Sequence, residues 1–480
     1  MPCAVEVVEA LEATTSADPD EVAFAAEVAF FDGRFEEALD LVTRAAEAGW
    51  EDRYDEVALY ERTREVTADW TDIERGRFRV RYQPGIDAVL LDDAARTLEL
   101  SERNVTPLLG DPPPGRLDLE VYPDGRSFIA ASSLSKHDVQ TTGVVALSKW
   151  SRLLITSPRA LGRGYTWQDT VAHEYIHLVV TYQTGDKAPV WLQEAIAKYL
   201  DNRWRTGRDG FRVSVGSQAL LADAIRTDQF VSFEKMHPSL AMLDSQEEAA
   251  LAYAQLATLM AYAFDRGGDG VLLRALPMVK RGVDPRDALA TAAGASSFES
   301  LEAGWKQYIR GLDLVGRKLH AMPTVLDGGD EIDTDPLLHD REDLARYVRL
   351  GDLLRTRERY GAALVEYRKA IPADEPRGPL LSNRIAQVHL ALGDLDLARQ
   401  ALEESLVDYP EFALTHKTLG AILRARGQKR LSVRSYERAR ELNPFDSEVQ
   451  RALSELYAEL GDENAAARHM RYLRILRPNI

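Results

Sequence analysis

The stretch Thr170–Asp201, TVAHEYIHLVVTYQTGDKAPVWLQEAIAKYLD, holds the set of side chains best suited to bond-breaking chemistry. His173 and His177 are four residues apart, so on a helix their imidazoles share a face within reach of one ion. Glu174 lies about 100° round the same helix, beside them. Two histidines at this spacing, with a Glu after the first, form the pattern that holds a zinc ion and a general base. The helix is predicted on independent grounds. Thr166 with Asp169 reads as a capping box, Val171, Ile176, Val179 and Val180 supply a buried flank, and Gly185 supplies a stop. Pro189 suits the first turn of a second helix carrying Trp191, Glu194, Ala197 and Leu200. Sixteen residues separate His177 from Glu194, enough to fold the second helix back and deliver a third ligand. The alternative is a histidine pair held by core hydrogen bonds, with Glu194 merely solvated.

On HEYIH and WLQEAIA the segment resembles the gluzincin metallopeptidases of the thermolysin-like, peptidase MA type, which pair HExxH with a downstream W-x-x-E-G-x-A helix. The resemblance implies His173, His177 and Glu194 as ligands of one catalytic zinc ion and Glu174 as general base. Ala195 replaces the family's usual Gly, adding a methyl where the two helices pack. Lys198 stands where thermolysin itself has an Asp supporting a ligand His. Three protein ligands leave one position of a tetrahedral zinc open for water, and a neighbouring carboxylate can take that water's proton as it attacks a carbonyl. An amide is the natural target.

The chain has 480 residues, enough for about three domains. With 45% hydrophobic and 28% charged residues it has the composition of a globular protein. A net charge of −18 argues against a general binder of nucleic acid or anionic membranes. Cys3 is the single cysteine, which excludes an intrachain disulfide and a thiolate zinc cluster. The start, MPCAVEVVEALEATT, lacks a basic flank followed by an apolar core, so a cytoplasmic location is expected unless the N-terminus has been trimmed. The longest apolar stretch, Ala249 to Phe264, is too short to span a bilayer, and no membrane insertion is expected.

Residues 1–70 read as helical, with Ala26, Gly33, Ala38 and Ala45 at the spacings of one tetratricopeptide-like hairpin, filled by Phe30, Phe31 and Phe35. Phe78, Val80 and Tyr82 alternate with arginines as a half-buried strand, a helix runs from Ala88 to Leu109, and a second strand carries Leu117, Leu119 and Val121. Strands are also expected at Gly143 to Leu147 and Leu153 to Thr156. This order fits the α+β N-terminal lobe that the resemblance implies. Thr142 to Ser148 stands where the family has an edge strand that would hold extended substrate, and it reads equally as an ordinary covered strand. Beyond Glu194 the chain reads as helical to about Leu312, with Trp305 and Tyr308 on a closing helix. In the helix from Ser245 to Asp265, Tyr253 is the candidate for the oxyanion-stabilising residue the family draws from its downstream lobe, and His237 is the second choice.

Residues 316–341 are rich in Asp, Gly and Pro and read as a solvated acidic linker, with no metal assigned to His320 or His339. Residues 342–480 resemble about four tetratricopeptide units. Gly351, Ala386, Gly420 and Ser454 recur at intervals of 35, 34 and 34, matched by Ala363, Ala398, Ser432 and Ala466, with Gly393, Gly427 and Gly461 and then Pro410, Pro444 and Pro478 in step. Such an all-α solenoid exposes a groove for a protein partner or substrate. Arg424, Arg426, Lys429, Arg430 and Arg434 form a basic cluster there, which either holds an acidic tail or is simply a solvated face. The expectation is a zinc metallopeptidase domain at 71–315, acting on peptide or protein, between the helical segment and the repeat array. Two rivals remain: an interaction scaffold that keeps a peptidase fold without its activity, and a metal-dependent hydrolase of a non-peptide amide.

Overall fold

The arginines that alternate with Phe78, Val80 and Tyr82 are not solvated, and the reason organises the N-terminal half of the molecule. The computed structural model describes residues 18–478 except 53–54, 133, 135–142, 150–151, 207–210, 237–239, 241–242, 315–318, 320–321, 328–330, 334 and 373–374. Cys3, Thr142, His237 and His320 therefore lie outside the described residues. Strands β1 (Thr71–Arg75), β2 (Phe78–Tyr82), β3 (Leu117–Tyr122), β4 (Ala146–Lys149) and β5 (Arg152–Thr156) form one sheet in the order β1-β2-β3-β5-β4. The inner pairs β2/β3 and β3/β5 are parallel, and the outer pairs are antiparallel. β1, TDIER, is largely exposed and too polar to show an alternation, so its sequence gives no strand signal.

Register places Val80, Leu119 and Leu153 in one row, and this apolar face packs on helix Leu91–Leu109 and helix Trp167–Thr184. The opposite face carries Arg79, Arg81, Asp118, Glu120 and Arg152, and charge pairing makes its burial tolerable. Arg79 pairs with Asp118, while Arg81 reaches Glu120 at 3.2 Å. Arg152, 1% exposed, donates to both Glu120 oxygens at 2.7 and 3.2 Å, and Tyr122 Oη donates to the same carboxylate at 2.8 Å. The helical pair Pro19–Phe31 and Phe35–Glu47 covers this face, with the Arg152 guanidinium over the rings of Phe30 and Phe35 at 4.7 and 4.8 Å. The small residues of that pair do pack a hairpin: Ala26, Ala38 and Ala45 are fully buried.

The α+β expectation holds, since a small mixed sheet carries a mostly helical remainder. Among the described residues six helices lie between Val190–Leu200 and residue 315, among them Gln246–Gly267 and the closing Phe298–Arg310, where Trp305 Nε1 donates to Thr258 Oγ1 at 3.0 Å. The acidic linker is corrected, because its described part is packed rather than solvated. Asp327 accepts from the backbone of Gly125 at 2.8 Å and of Arg126 at 3.1 Å, which caps the short helix Gly125–Ala130. Asp335, fully buried, accepts from the backbone N–H groups of Leu337, Leu338 and Leu380, and Leu337 and Leu338 enter the core of the following helices.

Four helical hairpins complete the chain: Glu342–Thr356 with Tyr360–Lys369, Pro379–Leu392 with Leu395–Asp408, Ala413–Ala425 with Lys429–Leu442, and Ser447–Glu459 with Glu463–Leu476. A Cβ at Gly351 would lie 2.3 Å from the Tyr367 ring, which shows why the position must be small. The basic cluster is mostly neutralised within the array. Arg424 reaches Glu455 at 2.8 Å, Lys429 reaches Glu459 at 3.0 Å, and Arg426 pairs with Asp396.

The array turns back onto the first half. Arg440 pairs with Asp93, Tyr472 Oη donates to Asp92 at 3.3 Å, and Tyr165 N donates to Leu442 O at 3.0 Å. Gly164 makes the last contact possible, because a Cβ there would lie 2.1 Å from the Leu442 carbonyl oxygen.

Burial alone would raise the Glu120 pKa, but Arg152, Arg81 and Tyr122 bring it below the ordinary carboxylate value. Its folded pKa is thus lower than the unfolded one of about 4.3, so its stabilisation is complete above that pH and is lost as pH falls through the folded value. Glu120→Gln should cost about 3–5 kcal/mol at neutral pH by leaving Arg152 buried without a counter-charge. It should also flatten the acid limb of stability against pH in urea unfolding; an unchanged limb would assign the coupling to another group.

Candidate metal centre

Helix Trp167–Thr184 takes its direction from the sheet beneath it. Val171, Ile176, Val179 and Val180 are buried as read, and Tyr175 meets Phe78 edge-on at 6.1 Å. The start of the helix differs from the capping box. Thr166 occupies the N-cap position but makes no side-chain cap bond, because the Asp169 carboxylate accepts instead from Trp204 Nε1 at 2.8 Å and Arg205 Nη2 at 3.1 Å. Those donors come from a segment far along the chain and leave no local signal. The helix ends at Thr184, before Gly185, and the second helix, Val190–Leu200, starts one residue after Pro189.

The turn between the two helices brings Glu194 back onto the histidines. His173 Nε2 and His177 Nε2 are 3.0 Å apart, His173 Nε2 lies 3.2 Å from Glu194 Oε2, and His177 Nε2 lies 3.6 Å from Glu194 Oε1. A tetrahedral zinc with bonds of about 2.0–2.2 Å requires ligand-to-ligand edges of about 3.3–3.6 Å. The His–His separation is shorter than that edge and the two Glu194 distances, each to a different oxygen, fall just below it and at its upper end, so the three groups converge as a donor set for a metal ion of this kind. The side chains keep about one-sixth of their surface open, at 16%, 15% and 16% for His173, His177 and Glu194.

His173, Glu174 and His177 also have ligand atoms within 4.8 Å of one another, which offers Glu174 as an alternative third ligand. Electrostatics separates the two carboxylates. Burial works against charge on Glu194, but His177 and His173 overcome it and hold its pKa below the usual value. At Glu174 burial prevails over the same two histidines, with Glu194 adding repulsion, and the pKa is raised. The same two histidines thus favour the charged form at Glu194, while burial favours the protonated form at Glu174. Ser148, on the edge strand β4, acts against the rise at Glu174. His173 has a raised pKa: burial opposes its charge, and the hydrogen bond and charge of Glu194 outweigh it.

Tyr253 projects from Gln246–Gly267, the helix packed against Val190–Leu200. Its phenol pKa is raised by burial and then by the charges of Glu194 and Glu174, so the hydroxyl is a proton-bearing donor within electrostatic reach of both. His237, the second choice, lies outside the described residues.

Two supporting residues escaped the sequence reading. Asp201 Oδ2 stands 4.0 Å from His173 Nδ1 and accepts from Lys198 Nζ at 2.9 Å, so an acid faces His173 even though Lys198 occupies the position first considered. Its signal was available, since Asp201 follows Glu194 by seven residues, two helical turns, and shares its face. Gln193 Oε1 lies 3.3 Å from His177 Nδ1, and Gln193 Nε2 donates to Thr181 Oγ1 at 3.1 Å.

Residues 126–311, which contain this site, match the family model of the Peptidase MA superfamily. No curated protein was matched. Among solved structures, native yeast LTA4 hydrolase is similar at 13% identity over 84% of this chain and 67% of that one, with a TM-score of 0.33. MamA (41-end) from Desulfovibrio magneticus RS-1 is similar at 21% identity over 29% of this chain and 78% of that one, with a TM-score of 0.26. At these scores the two likenesses add nothing to the reading of the site.

Removing a group that orients a ligand histidine typically weakens metal binding about 10–100-fold. Asp201→Asn and Gln193→Ala should each loosen zinc by about tenfold in competition with a chelator of known affinity, while His173→Ala abolishes binding. Full zinc retention in His173→Ala would place the ion elsewhere.

Proposed function

We propose that the chain is a zinc-dependent metallopeptidase in which His173, His177 and Glu194 hold one zinc ion and Glu174 is the general base. The observation that carries this reading is the convergence of two imidazole nitrogens and the Glu194 carboxylate at 3.0 to 3.6 Å. The match of residues 126–311 to the Peptidase MA superfamily supports it. When bound, zinc supplies a Lewis acid and lowers the pKa of water beside it.

Glu174, 7% exposed and more basic than an ordinary carboxylate, takes a proton from the attacking water and returns it to the leaving amine. Tyr253, kept protonated, donates to the oxyanion as the carbonyl becomes tetrahedral. Among the described residues β4 pairs only with β5, so its outer edge offers backbone groups to an extended peptide. The substrate would accordingly be an unfolded segment or loop.

In this reading residues 71–315 are the catalytic unit and 1–70 an N-terminal segment whose described hairpin, Pro19–Phe31 with Phe35–Glu47, covers its sheet. Residues 342–480 are a tetratricopeptide array whose groove takes substrate or a partner protein. Neither nucleic acid nor membrane insertion is part of it: the net charge is −18, and among the described residues no helix is long and apolar enough to cross a membrane.

Glu174→Gln should retain stoichiometric zinc and lower cleavage of unfolded protein by at least about 10²–10⁴-fold. Tyr253→Phe should lower kcat by about 10²–10³-fold with little change in KM. Metal analysis alongside cleavage of a denatured protein and of small amides measures all of this. Zinc bound without hydrolysis of either substrate class would favour the interaction scaffold, and cleavage of small amides alone would favour the non-peptide hydrolase.

A further inference from the structure

The repeat array reaches the histidine helix by two routes, and both end at its start. In the first, Leu442 O, at the end of the third hairpin, accepts from Tyr165 N at 3.0 Å, two residues before helix Trp167–Thr184 begins. Tyr165 is buried, and its Oη donates at 2.6 Å to Thr156 O, whose own N–H pairs with Val145 O at 2.7 Å in the rim that leads into β4. Burial raises the Tyr165 phenol and the charge of Glu174 adds to the rise, so the ring stands within electrostatic reach of that carboxylate. In the second route Arg440 pairs with Asp93, whose backbone carbonyl accepts from Thr97 Oγ1 at 2.7 Å. Thr97 Oγ1 in turn accepts from Gln168 Nε2 at 3.1 Å, and Gln168 is the second residue of the histidine helix. Arg440 is itself held at 2.7 Å by Glu437, which also accepts from Tyr457 Oη of the fourth hairpin at 2.8 Å.

His173 lies six residues beyond Trp167, about 9 Å along the helix axis. Whatever fixes the start of this helix therefore fixes where the imidazole meets Glu194, which comes from a different helix. A ligand set tolerates displacements of only about 0.5 Å. The Arg440 and Asp93 side chains are 11% and 18% exposed, so salt screens their link less than a surface pair. Resting on the reading of His173, His177 and Glu194 as zinc ligands, we infer that Tyr165 and Asp93 are positioning residues through which the docked repeat array tightens the metal site, and that a bound metal in turn holds the array docked. Both residues act through the histidine helix and touch neither metal nor substrate. The two effects are reciprocal by thermodynamic necessity, since a contact that favours metal binding is favoured by it to the same extent.

The test uses the full chain with zinc as the probe. Asp93→Asn removes the charge that Arg440 pairs with and leaves the Thr97 bond, and Gly164→Ala pushes the Leu442 carbonyl off Tyr165. Each should raise the dissociation constant for zinc at least about fivefold in competition with a chelator, measured well below the melting temperature. Conversely, zinc should slow hydrogen exchange at the Tyr165 amide of the unsubstituted chain by at least about fivefold more than at the amides of β3. A purely structural link would lower melting in both variants and move neither quantity. Where Gly164→Ala does not fold, Asp93→Asn decides. Unchanged zinc affinity in Asp93→Asn, or Tyr165 exchange indifferent to zinc, overturns the inference and leaves the metal reading standing. An unsubstituted chain that binds no zinc would sink the metal reading and this inference together.

Discussion

The contact on which the functional reading depends is the approach of helix Val190–Leu200 to helix Trp167–Thr184, close enough for Glu194 to stand 3.2 Å from His173. Ala195 sits fully buried, and the methyl it adds relative to glycine does not hold the helices apart. The same second helix packs on Gln246–Gly267, which carries Tyr253. One packing arrangement thus brings together the two histidines, Glu194, Glu174 and the helix of Tyr253. It also sets apart two carboxylates of equal intrinsic acidity, because each meets a different balance of burial and imidazole charge.

That arrangement needs a firm floor, and the floor is unusual in being apolar on one side and ionic on the other. Its apolar face seats the histidine helix. Its ionic face is closed by a helical hairpin, with Glu120 accepting hydrogen bonds from Arg152, Arg81 and Tyr122 in a site water does not reach. Buried charge of this kind is tolerated only when every partner is present, which ties the N-terminal hairpin to the register of the strands.

The C-terminal hairpins alter the picture further. Arg440, Tyr472 and the Leu442 carbonyl fix them against the segments just before the histidine helix and around helix Leu91–Leu109. The packed acidic strap fixes them from the other end through Asp335. A repeat array held at two places acts as a wall, and its turn at Tyr409 to Phe412 lines a cavity shared with Asp169, Asp201 and Tyr253.

Local pattern was enough to expose the histidine helix, the helix of Glu194, the long helix of Tyr253 and the helical repeats, because each rests on residues a few positions apart whose spacing matches a helical or hairpin period. It also placed β2, β3 and β5 closely, since their apolar residues alternate. It failed where partners come from distant segments. The polar strand β1 is defined by pairing, Asp169 by Trp204 and Arg205, the acidic strap by the backbone groups it caps, and the arginine face by the hairpin that covers it. Asp201 falls between the two cases, with its helical spacing legible and its orientation toward His173 not. Sequence determined which side chains could bind a metal; only tertiary structure gave the two carboxylates opposite charge preferences, because those depend on burial and on distances across the fold.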